Sequence, residues 1–110
     1  MSSYEKEKIY EQIEKIVEQS TDQEQIGLFI QGDNYYLVIQ AVDDGYDYTL
    51  FTENYKEIDG GQLDEPDMEM ERAIYKVITT YCHSVTNLIM NDYDTILEES
   101  DSVFLQEIGK

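Results

Sequence analysis

The chain has 110 residues, of which 41% are hydrophobic, and its 7 Lys and Arg stand against 25 Asp and Glu for a net charge of −18. The length is that of one domain with one modest core, and the apolar fraction is too high for a disordered acidic tail. So large a negative charge argues against direct binding to nucleic acid or to an anionic membrane, where Lys and Arg must neutralise phosphate, and it suits a basic partner.

Cys82 is the only cysteine, so an internal disulfide is impossible and a reducing compartment is expected. The opening "MSSYEKEKIYEQ" has no apolar stretch of signal-peptide length, and no run approaches the ~20 apolar residues of a membrane span. These features predict a cytoplasmic protein.

In chain order, "SSYEKEKIYEQIEKIVEQS" predicts a helix over about residues 3–19. Ser2 and Glu5 fit a capping box. At ~100° per residue, Ile9, Ile13, Ile16 and Val17 gather on one face. Glu7, Glu11, Glu14 and Glu18 gather on the opposite face within roughly 60° of arc. Lys8 and Lys15 lie on one flank, where an i, i+4 pair of Glu11 with Lys15 is worth only ~0.3 kcal/mol. The helix therefore carries a partly neutralised ridge of carboxylates.

Strands follow. "QIGLFIQ" alternates, "GDN" (32–34) turns, "YYLVIQAV" (35–42) alternates again, and Asp44-Gly45 suits a tight hairpin turn into "YDYTLFT" (46–52). "YKEID" (55–59) reads as a short fourth strand, and "GGQLDEPD" (60–67) breaks the sheet. "MEMERAIYKVITTYC" places Met70, Ala73, Ile74, Val77, Ile78 and Tyr81 on one helical stripe. "HSVTNLIMNDY" reads as a second helix with Val85, Leu88 and Ile89 inward, and "DTILEESDSVFLQEI" as a further helix that Asp94 or Asp101 caps. The expectation is one α+β domain over residues 1–110. It has a three- to four-stranded antiparallel meander, an N-terminal helix and two or three C-terminal helices, with Leu37, Ile39, Ile74 and Ile78 in the core.

Little in the chain points to catalysis. It shows no glycine-rich phosphate loop, nucleophile elbow, paired-cysteine zinc site or two-histidine metal motif. Cys82 and His83 are adjacent, and on a helix would point ~100° apart, a poor nucleophile–base pair. The acidic turns "DDGYD" and "DGGQLDEPD" lack the spacing of a calcium loop, and "NDYDTILEESD" lacks its central glycine. Asp in turns usually bonds its own backbone. Acids on every segment single out no general acid–base pair. A non-enzyme without cofactor or metal is expected.

The tyrosines carry more information. In the second strand Tyr35, Leu37, Ile39 and Ala41 make one apolar face, while Tyr36, Val38 and Val42 make the other nearly as apolar. Phe29 stands behind the core face of the first strand. A sheet with one buried face should be polar on the other. Helices must therefore cover both faces, or part of one serves a partner, for which a tyrosine patch rimmed by carboxylates is the usual anatomy.

The stretch "YDYTLFTENYKEIDGGQLDEPDMEMERAI" resembles the small domains associated with large polyvalent proteins of bacterial mobile elements. Tyr46, Asp47, Tyr48 and Thr49 carry the likeness, followed by Ile58, Asp59, Gly60, Gly61, Leu63, Asp64 and Pro66. The resemblance implies no catalytic residue. It implies a setting, a phage or conjugative element in a bacterial host cell, whose small accessory proteins often counter host defences.

In that setting the acids acquire a meaning. Phosphates along a DNA strand are ~7 Å apart, and carboxylates at i, i+2 on a strand or i, i+4 on a helix are separated by ~6–7 Å. The expected function is a non-catalytic inhibitor that mimics nucleic acid in the basic groove of a host defence nuclease of the CRISPR or restriction type. Glu7, Glu11, Glu14, Glu18, Asp43, Asp44 and Asp47 are the expected anionic contacts, with Tyr36 and Tyr48 as anchors. The alternative is an accessory or assembly module that forms a homodimer, or binds an element-encoded protein, through its tyrosine-rich sheet face.

Overall fold

A computed structural model describes residues 6–108. The Ser2–Glu5 capping box lies outside the described residues. The elements in order are α1 (Lys6–Gln19), β1 (Gln25–Gly32), β2 (Tyr35–Val42), β3 (Gly45–Thr52), β4 (Glu57–Leu63), α2 (Met70–Tyr81), β5 (Val85–Asn91) and α3 (Tyr93–Ile108). The five strands form one sheet in the order β4-β3-β2-β1-β5, and every pairing is antiparallel. The class is α+β, as expected, with one strand more than the predicted three or four.

That strand corrects the reading of "HSVTNLIMNDY", which is β5 and not a helix. Val85 and Leu88 are both buried although three residues apart, a spacing that suggests a helix. A bulge reconciles them: Gln31 pairs with Asn87 but Gly32 with Val85, leaving Thr86 extra. One inserted residue lets both side chains face the same side. The Thr86 hydroxyl donates to the Gln31 carbonyl at 3.2 Å, and β5 supplies the partner that the free side of β1 needs.

The sheet also continues through Gly60-Gly61, where a break was expected. Gly61 pairs with Tyr48, and a Cβ there would stand 2.6 Å from the Tyr48 hydroxyl oxygen. The glycine leaves room for the phenol to lie across β4, as aromatics often shelter strand glycines. At the β2–β3 hairpin the two connecting residues are Asp43 and Asp44, one position earlier than predicted. Gly45 opens β3 at φ +147°, with the Leu63 carbonyl oxygen occupying the place of a side chain. α3 starts one residue before Asp94 and runs unbroken past Asp101. Its cap is Asp92, whose carboxylate accepts the Thr95 amide at 3.0 Å and the Thr95 hydroxyl at 2.8 Å.

Two cores result. Ile9, Ile13, Ile16 and Val17 of α1 and Ala73, Ile74, Val77 and Ile78 of α2 pack on Ile26, Leu28, Ile30, Leu37, Ile39 and Leu50. Leu37, Ile39, Ile74 and Ile78 are fully buried, as expected. On the other face α3 sets Ile96 against Val38 and Phe51. Helices thus lie on both faces, which explains why β2 is apolar on both. Among the described residues no helix is long and apolar enough to cross a membrane.

Candidate functional site

The carboxylate ridge is present. Burial of Ile9, Ile13, Ile16 and Val17 turns the opposite side of α1 to solvent, and Glu7, Glu11, Glu14 and Glu18 are all exposed there. Where α1 meets α2, Tyr10 and Tyr75 pack edge to face with ring centroids 5.8 Å apart. They form the wall of a groove of about 450 Å³ lined also by Lys6, Glu7, Glu11 and Arg72. Burial pushes the Tyr10 phenol up, and the charges of Glu71, Glu14 and Glu69 push the same way, against Arg72. Glu69 and Glu71 at the start of α2 thus act on the same phenol as Glu14 of the ridge, with Arg72 opposing them. Tyr10, Glu69, Glu71 and Tyr75 had escaped the sequence reading, because nothing local says which side of α2 faces α1.

The other predicted contacts lie elsewhere. Asp43 and Asp44 are exposed at the tip of the β2–β3 hairpin. That end of the sheet also holds the loop after α1, where the Ala41 amide donates to the Glu24 carbonyl at 2.8 Å. Asp47 is exposed on β3, on the α3 side, where its charge is one cause of the raised Tyr93 phenol, after burial and Asp94. Tyr36 and Tyr48 occupy opposite faces. Tyr48 is half-buried over the first core and hydrogen-bonds the Tyr81 hydroxyl at 2.8 Å. Tyr36 lies on the α3 side, stacked on Tyr55 with centroids 4.6 Å apart. The structure keeps the four ridge glutamates together on the exposed side of α1. It does not bring Asp47, Tyr36 or Tyr48 to them.

The remaining chemistry has structural explanations. Cys82 is buried at the end of α2, and burial, aided by the Asp33 charge, pushes its thiol up to about 12, so it stays protonated. The His83 backbone amide donates to Asp33 Oδ2 at 2.7 Å, tying the α2–β5 connection to the β1–β2 turn. Asp22 Oδ1 accepts the Glu24 amide at 2.9 Å, the usual work of a turn carboxylate, and Asp59 Oδ1 on β4 accepts the Gly60 amide at 2.8 Å. Among the described residues no cluster of three or more His, Cys, Asp or Glu is arranged to hold a metal ion.

A family model described as large polyvalent protein-associated domain 16 matches residues 20–102. The match takes in all five strands, α2 and most of α3, and leaves out α1. No curated protein and no solved structure matches the chain.

Proposed function

Because the chain belongs to the large polyvalent protein-associated domain 16 family, a mobile-element setting, we propose that it is a non-catalytic acidic binding module. Its α1 ridge docks into the basic nucleic-acid groove of a host protein, a defence nuclease of the CRISPR or restriction type. The observation that carries this reading is the exposed ridge of Glu7, Glu11, Glu14 and Glu18 along α1, on a chain of net charge −18. The ridge lies almost wholly outside the matched segment, on a helix whose buried side belongs to the core. A shared sheet scaffold with an added acidic helix suits an accessory protein directed at its own target.

The test is replacement of Glu7, Glu11, Glu14 and Glu18 together by Gln, which nearly preserves helix propensity and size. Single exposed pairs contribute only ~0.2–1 kcal/mol, so single replacements should have little effect. The quadruple variant should fold as the parent does. Its affinity for a nuclease captured from host lysate at low salt should drop at least ~10-fold, mainly through the association rate. The parent should compete with the nuclease's nucleic acid and lose affinity steeply as salt rises. Undiminished inhibition by the quadruple variant would show that the ridge is only a solvated surface.

A further inference from the structure

The α3 side of the sheet carries a second surface that the ridge does not use. In register across four strands stand Ile89, Phe29, Tyr36 and Phe51. Phe29 packs on Tyr36 with centroids 4.8 Å apart, and Tyr36 stacks on Tyr55. This row runs onto α3 through Ile96 and Leu97, which join Tyr36, Phe51 and Tyr55 in one cluster.

Helical periodicity then makes a demand that the fold leaves unmet. Phe104 is seven residues after Leu97 and, at ~100° per residue, points within about 20° of the same direction. It continues the line of Leu97, yet Phe104 is 61% exposed. At the other end of the row Ile89 is 43% exposed. Exposed apolar side chains at both ends of a half-buried aromatic row mark an interaction surface.

Its borders say what fits. Glu98 and Asp101 are exposed beside the α3 stripe, Glu57 is exposed opposite Phe51, and the Glu53 charge acts on the Tyr36 phenol. α3 contains no Lys or Arg. Lys56 is the one basic residue on the segments that form the strip and its borders. A second copy would bring two acidic borders together, each on a chain of net charge −18. We propose that this strip is a docking surface for a basic amphipathic helix of a partner protein. The helix would lay its apolar side on Tyr36, Leu97 and Phe104 and set Lys or Arg against the flanking carboxylates.

The probe is a labelled synthetic Lys/Leu peptide of about five helical turns with its leucines on one face. Its control is an isomer of equal composition with the leucines spread around the helix. Fluorescence anisotropy should show the amphipathic isomer binding the parent at least ~10-fold tighter than the control. Phe104→Asp, at an exposed position, should abolish that preference, and Ile89→Thr, which keeps β propensity, should reduce it. The quadruple Gln variant of α1 should weaken both isomers alike and leave their ratio intact, so failure of the ridge reading and failure of this one are separable. Equal binding of the two isomers, binding of neither, or a preference that survives Phe104→Asp would overturn the proposal. So would a parent dimer in sedimentation that Phe104→Asp dissolves, since the occupant would then be a second copy.

Discussion

Tyr36 and Tyr48 show how the same side chain is used on two faces of one sheet. The Tyr36 and Tyr55 hydroxyls are hydrogen-bonded at 3.1 Å, and this hydrogen bond, then burial, then the charges of Tyr55 and Glu53 push the Tyr36 phenol up to about 12. Burial first, and then the hydrogen bond with Tyr81, push Tyr48 to about 12 as well. An unfolded tyrosine titrates near ~10. Both groups therefore hold their protons more tightly when folded, and the stability they add is fully present below pH ~10 and lost as pH rises toward 12. Urea unfolding at pH ~9 and ~11 should show a loss of stability that the double variant Tyr36→Phe, Tyr48→Phe makes smaller. An unchanged loss would mean that other groups govern the alkaline limit. Tyr55 adds a local cost: its φ of +66° is a left-handed conformation worth ~1–3 kcal/mol of strain in a non-glycine residue. Its stacking on Tyr36 offsets that strain.

At the scale of elements, the two edge strands are protected differently. β4 exposes Glu57 and Asp59, charges that discourage pairing with another chain. β5, by contrast, contains no charged residue. There α1 lies alongside, and Gln12 Oε1 accepts the Leu88 amide at 2.7 Å, the kind of N–H that an edge leaves open. Replacing Gln12 by Leu keeps a good helix former but removes the acceptor. The expected cost is ~1 kcal/mol, the low end for a lost partner because water reaches an edge. Urea unfolding checks the stability, and light scattering should show greater concentration-dependent association through β5. Parent-like behaviour in both would mean that the α1 backbone alone covers the edge.

For the molecule as a whole, a net charge of −18 works against the compact state through self-repulsion. Both cores consist of uncharged side chains, so the repulsion is between exposed groups that salt can screen, with a Debye length near ~10 Å at 0.1 M and ~3 Å at 1 M. Added sodium chloride should therefore stabilise the fold while weakening any complex made through the α1 ridge. A gain of ~1 kcal/mol would raise Tm by about 4–8 °C in a domain of this size class. Calorimetry at low and high salt measures the first effect and competition binding the second. A Tm that falls with salt would show that specific ion pairs, such as Lys76 with Glu65 at 3.1 Å, outweigh the repulsion.

Periodicity by itself determined α1 and α2, whose apolar residues recur at ~3.6 positions, and the first three strands were legible as β-rich runs between turn signals although Val38 and Phe51 bury a second side. It also determined the glutamate ridge, since a helix that buries Ile9, Ile13 and Ile16 must expose Glu7, Glu11, Glu14 and Glu18. The family was legible over residues 46–74 and in fact extends over 20–102. Only the tertiary structure decided β5, where a bulge gives Val85 and Leu88 a helix-like spacing and the open side of β1 settles the matter. Only it could carry β4 through Gly60-Gly61, because the reason is the Tyr48 ring on the neighbouring strand. The packing of Tyr10 on Tyr75 where α1 meets α2, and the separation of Tyr36 from Tyr48, likewise depend on which element lies on which face. Local sequence reports which side of an element is apolar, whereas the identity of what covers that side is a long-range choice made when the elements pack.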